Sequence, residues 1–571
     1  MSMSQTYANG FELFDKSQIN NNASSTMEQI KLGFSIENTD EGNYSVQAKL
    51  YEGQANDFFS GIKVCYTRQA ILHFDNFFIC NFIFGKQQNI EITFKKDNKE
   101  TKLNCTLGGI VGARNSTLIY KFPSNESLII KAEKKGTLKD VLEVKFAFDQ
   151  INLQKLFKYF GNQIYYVITS NNEKLCKSAY MEIDGTFEPI YIPICLLTNS
   201  YKVSFYNSNN YKIFSFDSKI EQISSKKQIQ LKNNEYIFFY DLSKITKNFS
   251  FIDYIQAGVR IALSIGIDFT ASNGHPKDAI SLHNKTINQL NDYEKAILAC
   301  GNIVGYYDYD QLFPVFGFGA KIKPNNVTSM CFNLNFSDNP DIKTIDNILK
   351  VYRNVLQKDL LEFSTPTYFA PLIREVKKRI NKNNALEYHI LMILTDGIIE
   401  DKQETIDELV EASLLPLSLI IIGIGKNTDF KMMEDLDGDE EFLVSSKGQI
   451  RKRDIVQFVP FEKYAYNPQT LAMEVLAEIP KQIVEYYRFK NLDPEQIKKL
   501  TSKNNGLIFN AEYYSAQNFK KNTSSNNQNL QSTTNSNNSS NINTNVLFQN
   551  NNSNQKNNNN NPNFGTKNFQ N

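Results

Sequence analysis

The chain has 571 residues, 41% of them hydrophobic, and its 62 basic and 61 acidic side chains leave a formal net charge of +1. That length exceeds what one hydrophobic core can serve, so three or four domains are expected. The balanced charge gives no global field toward nucleic acid and leaves the choice of partner to local patches.

Residues 1–10 hold no apolar core segment and no glycine at position two, so neither a secretory signal nor myristoylation is expected. The longest apolar runs, near 391–394 and 414–424, are too short to span a membrane. Seven cysteines are scattered without a C-x-x-C pair, which fits reduced, buried thiols in a cytoplasmic chain.

Residues 1–25 are polar, and a disordered N-terminus is expected there. From 26 to 135, short alternating runs at 61–66, 77–84 and 90–94 are separated by Gly, Asn and Asp clusters, the signature of a β-sandwich. A second set fills 136–245, with runs at 141–148, 163–168, 175–183, 201–206 and 236–240. Tandem sandwiches of about a hundred residues each are the economical reading.

These two units resemble C2 domains, the calcium- and phospholipid-binding sandwiches. In the first, C-T-L-G-G-I-V at 105–111 resembles the helix-like turn late in the first C2 unit of the copine family. In the second, Phe187-Glu188-Pro189-Ile190 resembles the segment leading into a central C2 strand.

The C2 resemblance implies calcium loops rich in Asp, because Ca²⁺ takes six to eight oxygens and gains affinity from ligand charge. Here the second loop of the first unit shrinks to Lys95-Lys96-Asp97-Asn98. In the second unit Asn207-Ser208-Asn209 and Gly161-Asn162-Gln163-Ile164 stand where acids are usual. Asp57 is the one residual calcium ligand expected, and one carboxylate is not a site, so weak or absent Ca²⁺ binding is anticipated. Basic pairs, Lys95-Lys96 and Lys134-Lys135, offer lipid contact with an anionic phospholipid membrane, at about 1 kcal/mol per charge near the surface. Ordinary solvated lysines are the competing reading.

From 246 to 490 the pattern changes. Apolar strands at 260–267, 312–318, 331–336, 389–394 and 417–424 alternate with amphipathic segments at 289–306, 344–360, 370–381 and 402–412. In 344–360 the residues Ile345, Ile348, Leu349, Tyr352, Val355 and Leu356 fall on one helical face. Such alternation predicts an α/β doubly wound unit with a mostly parallel sheet covered on both faces.

The run I-G-I-D-F-T-A-S-N-G-H-P at 265–276 carries this unit's chemistry. A buried strand delivers Asp268, Thr270 and Ser272 to a loop at its carboxyl end, where open α/β sheets bind ligands. At i, i+2 and i+4 of an extended segment, one carboxylate and two hydroxyls converge. Hard oxygens of this kind suit Mg²⁺ or Mn²⁺. The same residues equally suit turn and helix-cap chemistry.

A second buried strand, in L-M-I-L-T-D-G at 391–397, ends in Asp396 at the same edge, and a turn at 364–369 offers Thr367. Together, Asp268, Thr270, Ser272, Thr367 and Asp396 resemble the metal-ion-dependent adhesion site of a von Willebrand factor A domain. Further segments resemble the copine family: F-I-D-Y-I at 251–255, S-L-H at 281–283, Y-D-Y-D at 307–310, F-P-V-F-G-F-G-A at 313–320, P-T-Y-F-A-P at 366–371, D-I-V-Q-F-V-P-F at 454–461 and L-A-E-I-P-K-Q at 476–482. Asn284 replaces a usual aromatic and Ser364-Thr365 a usual Tyr-Gly.

The resemblance implies two C2 domains followed by this A domain, with Mg²⁺ or Mn²⁺ held so that an acidic side chain of a partner protein completes its shell. A cytoplasmic adaptor at the plasma membrane or other membranes is expected. A membrane-independent scaffold and a metal-dependent hydrolase are the alternatives. Catalysis is not expected: His73, His275, His283 and His389 form no H-E-x-x-H or comparable constellation, and no phosphate-binding loop or kinase signature is present. The Asn-rich stretch 502–571 cannot bury a core, and a disordered tail is expected.

Overall fold

The computed structural model describes residues 27–504, apart from 53, 136–139, 171–172, 183, 188, 195–196, 198–199, 221–222, 224–226, 233–235, 285–288, 309, 325, 359, 381–383, 385, 427 and 438–442. The expectations for 1–25 and for the tail from 505 onward lie outside these residues, as do Glu188 and Tyr309. The helix Pro494–Asn504 runs into the stretch read from 502 as low complexity. It is held there by Thr501, whose hydroxyl donates to the carbonyl of Ala257. No helix among the described residues is long and apolar enough to cross a membrane.

Strict alternation builds the first unit. In the strand Met27–Thr39, Ile30, Leu32, Phe34 and Ile36 point inward and the residues between them outward. This strand is central to one antiparallel sheet, with Gln69–His73, Phe78–Ile83, Ser127–Lys134 and Thr117–Lys121. Gly42–Glu52 is central to the facing sheet, with Gln54–Phe59, Lys63–Cys65, Asn89–Lys96 and Lys99–Thr106.

The second unit wraps three antiparallel sheets around a separate aromatic core of Phe146, Tyr166, Phe187, Phe205 and Phe239. The strand expected over 175–183 stops at Lys177. Beyond it the Ser178 hydroxyl accepts the N–H of Tyr166 and donates to the carbonyl of Ala179, ending the ladder locally. In the 207–209 stretch, Asn207 spends its amide oxygen accepting the N–H groups of Asn209 and Tyr211.

The third unit is a mixed sheet in the order Phe332–Asn333, Leu312–Phe318, Arg260–Asp268, Glu387–Thr395, Leu417–Gly423, Val456–Pro460. The last five strands run parallel. Both faces are buried, as the near-continuous apolar runs require: Ile390, Met392 and Leu394 join one core, and Leu391 and Ile393 the other. The helices Asp292–Val304 and Ile345–Gln357 cover the first face, Ala370–Arg379 and Lys402–Ala412 the second.

The strand expected over 331–336 shrinks to Phe332–Asn333 and runs antiparallel. The amides of Asn333 and Asn335 donate to the carbonyls of Ser337 and Asn339, which turns the chain.

One core runs from the first sandwich into this unit. The Phe84 ring lies 4.8 Å from that of Phe251 and 5.1 Å from that of Tyr307. Beside them Lys134 reaches Asp253 at 2.6 Å.

Candidate metal centre

Register sets the site. Ile267 pairs with Leu394, so the carboxyl ends of two adjacent parallel strands bring Asp268 and Thr395-Asp396 to one edge. Asp268 is wholly buried. Its Oδ1 accepts the Thr270 N–H at 2.8 Å and the Thr270 hydroxyl at 2.6 Å, and its Oδ2 accepts the Thr395 hydroxyl at 2.6 Å.

The Ser272 hydroxyl donates to Asp396 Oδ1 at 3.0 Å, and the Thr270 and Ser272 oxygens lie 3.0 Å apart. At that separation the two hydroxyls are within hydrogen-bond distance, and either can donate to the other. Two acids and two hydroxyls thus form one continuous run of oxygens, a donor set that fits a hard divalent cation.

Thr367 is placed differently. It is buried in the third loop, where its N–H reaches Glu400 Oε1 at 3.4 Å and its carbonyl accepts the Glu400 N–H at 3.0 Å. Its hydroxyl makes no hydrogen bond to the other four. The loop itself is tied to the site, since Ala271 donates its N–H to the Ser364 carbonyl at 2.8 Å. Asp401 anchors the start of the next helix by accepting the N–H groups of Phe369 and Ala370.

Gly319 lines the opposite wall. At φ +76 it adopts a conformation L side chains rarely take, and a Cβ there would meet Thr270 Cγ2 at 2.2 Å.

Burial pushes the Asp268 carboxyl above the usual range, against the pull of the Thr270 and Thr395 hydroxyls. Burial, and then the neighbouring Asp268, push Asp396 up to about 7. The two acids therefore resist carrying both charges unless a cation joins them. Among the described residues no three His, Cys, Asp or Glu side chains cluster for a metal; this candidate rests on two acids and hydroxyls.

The sequence reading missed Thr395, which sits beside Asp396 and was visible only as part of L-T-D-G. It also missed the residues behind the loop. His283, wholly buried, places Nε2 2.8 Å from the Asp268 carbonyl and Nδ1 2.7 Å from the Tyr352 hydroxyl. Burial drives its pKa down to about 3. With both nitrogens engaged, it is not a free base.

The C2-type expectations land elsewhere. Asp57 is exposed within the strand Gln54–Phe59, opposite Lys49. The turn residue Asp97 instead accepts the Asn43 N–H at 2.8 Å. Six residues of strand separate Asn43 from Lys49, about 20 Å, so Asp57 and Asp97 share no ion. Lys95 pairs with Glu100 at 3.0 Å, Lys96 with Glu126, and Lys134 with Asp253. Three of the four lysines read as lipid contacts therefore face carboxylates of the same chain.

Residues 281–495 match the family model described as Copine, so this segment is copine-like. The match contains Thr367 and Asp396, whereas Asp268, Thr270 and Ser272 lie just before it. Among solved structures, human GIVD cytosolic phospholipase A2 in complex with methyl gamma-linolenyl fluorophosphonate is 10% identical over 49% of this chain and 44% of that one, with a TM-score of 0.15. Manganese-loaded TRAP protein of Plasmodium vivax is 13% identical over 38% of this chain and 74% of that one, at 0.24. The paired C2 domains of extended-synaptotagmin 2 are 12% identical over 40% of this chain and 93% of that one, at 0.16. These likenesses are too partial to assign a fold, and the chain spans less than half the length of the phospholipase.

Proposed function

We propose that this chain is a copine-like adaptor. Its two β units act as C2-type modules that meet anionic phospholipid, peripherally at the plasma membrane or other membranes from the cytoplasm. Its α/β unit acts as a von Willebrand factor A-type module that captures a protein partner. The observation that carries the reading is the unbroken run of oxygens from Thr395 through Asp268, Thr270 and Ser272 to Asp396.

Asp268, Thr270, Ser272 and Asp396 would hold Mg²⁺ or Mn²⁺, with Thr367 supplied by the third loop. The bound ion would neutralise the two carboxylates and offer a position to an acidic side chain of the partner. Asp268 is fixed by three hydrogen bonds and Ser272 stays exposed, so the buried acid anchors while the exposed hydroxyl faces the partner. The module binds rather than catalyses, a view supported by the occupied nitrogens of His283.

The second reading is a scaffold that never meets a membrane. It draws support from Lys95, Lys96 and Lys134, whose charges are engaged within the chain. Sedimentation with phosphatidylserine liposomes, with Ca²⁺ and with chelator, separates the two. Equal binding in both conditions is expected of the adaptor, and no binding in either leaves the scaffold.

The metal-dependent half is tested on the full chain. Mn²⁺ binding by calorimetry should fall at least a hundredfold in Asp268→Ala/Asp396→Ala, with Ser272→Ala as a milder variant at an exposed position. Unchanged binding in the double variant would overturn this assignment.

A further inference from the structure

Behind the metal loop lies a buried assembly with no part in the ligand set. The His283 ring is sandwiched between Phe269, 5.1 Å away at 16°, and Tyr293, 4.2 Å away at 18°. Its hydrogen bonds have a direction. The Asp268 carbonyl only accepts, so Nε2 carries the proton and donates to it. Nδ1 of the neutral ring then accepts from the Tyr352 hydroxyl, whose oxygen in turn accepts the Asn291 amide at 3.0 Å.

A second strut runs beside the first. Tyr293, on the other face of the imidazole, donates its hydroxyl to Asn273 Oδ1 at 2.6 Å. Asn273 donates its amide to the carbonyl and the hydroxyl of Thr270, each at 3.4 Å. One strut thus ends on the backbone of Asp268 and the other on Thr270, two of the candidate ligands. His283, Tyr293 and Asn273 are all at most 1% exposed.

From this we infer that His283 and the Tyr293–Asn273 pair are positioning residues that set the affinity of the cation site by fixing the peptide after Asp268 and the side chain of Thr270. The inference rests on the proposed metal reading. The Asp268–Phe269 peptide is tied on its N–H side to the Phe318 carbonyl at 2.9 Å, and the imidazole holds its carbonyl oxygen, so losing the ring frees one side of the peptide that carries Asp268. Outer partners of this kind commonly change metal affinity by 10- to 100-fold.

The experiment is calorimetric titration of the full chain with Mn²⁺, paired with thermal melting in chelator. Tyr293→Phe keeps the ring stack and removes only the hydroxyl; its Mn²⁺ affinity should drop about tenfold. His283→Leu should drop further, and His283→Gln, which restores an N–H donor, should recover most of the loss. A purely packing role predicts lower melting temperatures with no difference in affinity between Leu and Gln.

If His283→Leu shows no cooperative melt, Tyr293→Phe decides alone. Wild-type binding with Tyr293→Phe within twofold overturns the positioning role and leaves the metal reading standing. Absence of Mn²⁺ binding by the wild-type chain overturns both.

Discussion

At one end of the first sandwich, the Lys96 ammonium is hydrogen-bonded to the carboxylate of Glu126, a side chain with no exposed surface. Asp40 Oδ2 lies 4.0 Å from the same nitrogen, and the Tyr44 ring sits beneath it at 5.6 Å. Burial raises the Glu126 pKa, but the bonds from Lys96 and Ser124 more than offset it and hold the carboxyl below the usual range. The end of the sandwich where the sequence leads one to expect a calcium loop thus carries its own cation.

Lys96→Met should therefore cost about 2 kcal/mol, because it leaves Glu126 buried and uncompensated. Lys96→Met/Glu126→Gln should regain most of that. The depressed Glu126 pKa fixes the sign with pH. The pair's stabilisation is present above the unfolded carboxyl pKa, about 4.3, and is lost as pH falls through the folded value. Urea melts of the single and double variants check this; equal losses in both would remove the coupling.

A second prediction concerns the junction between the first sandwich and the α/β unit. The glycine-rich helix Leu107–Gly112 lays Gly108 and Gly112 against Tyr306 and Tyr307. A Cβ at Gly112 would sit 2.3 Å from the carbonyl oxygen of Tyr306, a backbone atom that cannot rotate away. Gly112→Val should undock the sandwich at a cost of about 3 kcal/mol. Scanning calorimetry should then show two transitions in place of one. A single transition within a degree or two of wild type would show that the junction tolerates the methyls.

These contacts mark where sequence reading stops. The strand at 260–267 is legible because a parallel strand buried on both faces must be apolar throughout, and helix Ile345–Gln357 because six residues at helical spacing fall on one face, five of them buried. Asp268, Thr270, Ser272 and Asp396 could be named because strand ends and small hydroxyl residues are local signals. His283 and Tyr352 could not be paired in the same way. Their contact joins positions 69 apart, and nothing in either neighbourhood encodes the other. Lys96 and Lys134 looked like free surface charge for the same reason, since Glu126 and Asp253 approach them only after the chain folds.

The last prediction follows from Asp308, which lies before the strand Leu312–Phe318 at the sheet edge opposite the candidate metal loop. Only 6% exposed, its carboxyl is pushed up to about 8 by burial first and then by the Asp310 side chain, while its Oδ1 accepts the Gln311 N–H at 3.2 Å. A carboxyl whose folded pKa is raised gives its full stabilisation below the unfolded value near 3.9 and loses it as pH climbs through the folded value. The wild-type chain should therefore lose stability between pH 5 and 8, by an amount on the order of 3 kcal/mol from this residue. Asp308→Asn is neutral throughout and keeps an oxygen for Gln311, so its stability should vary less over the same range and exceed that of wild type at pH 8. Urea unfolding at pH 5, 6.5 and 8, in chelator so that the acids at the metal loop behave alike in both proteins, measures the difference. Identical slopes for the two chains would mean that Asp308 is ionised at neutral pH and that its buried charge is compensated by neighbouring donors.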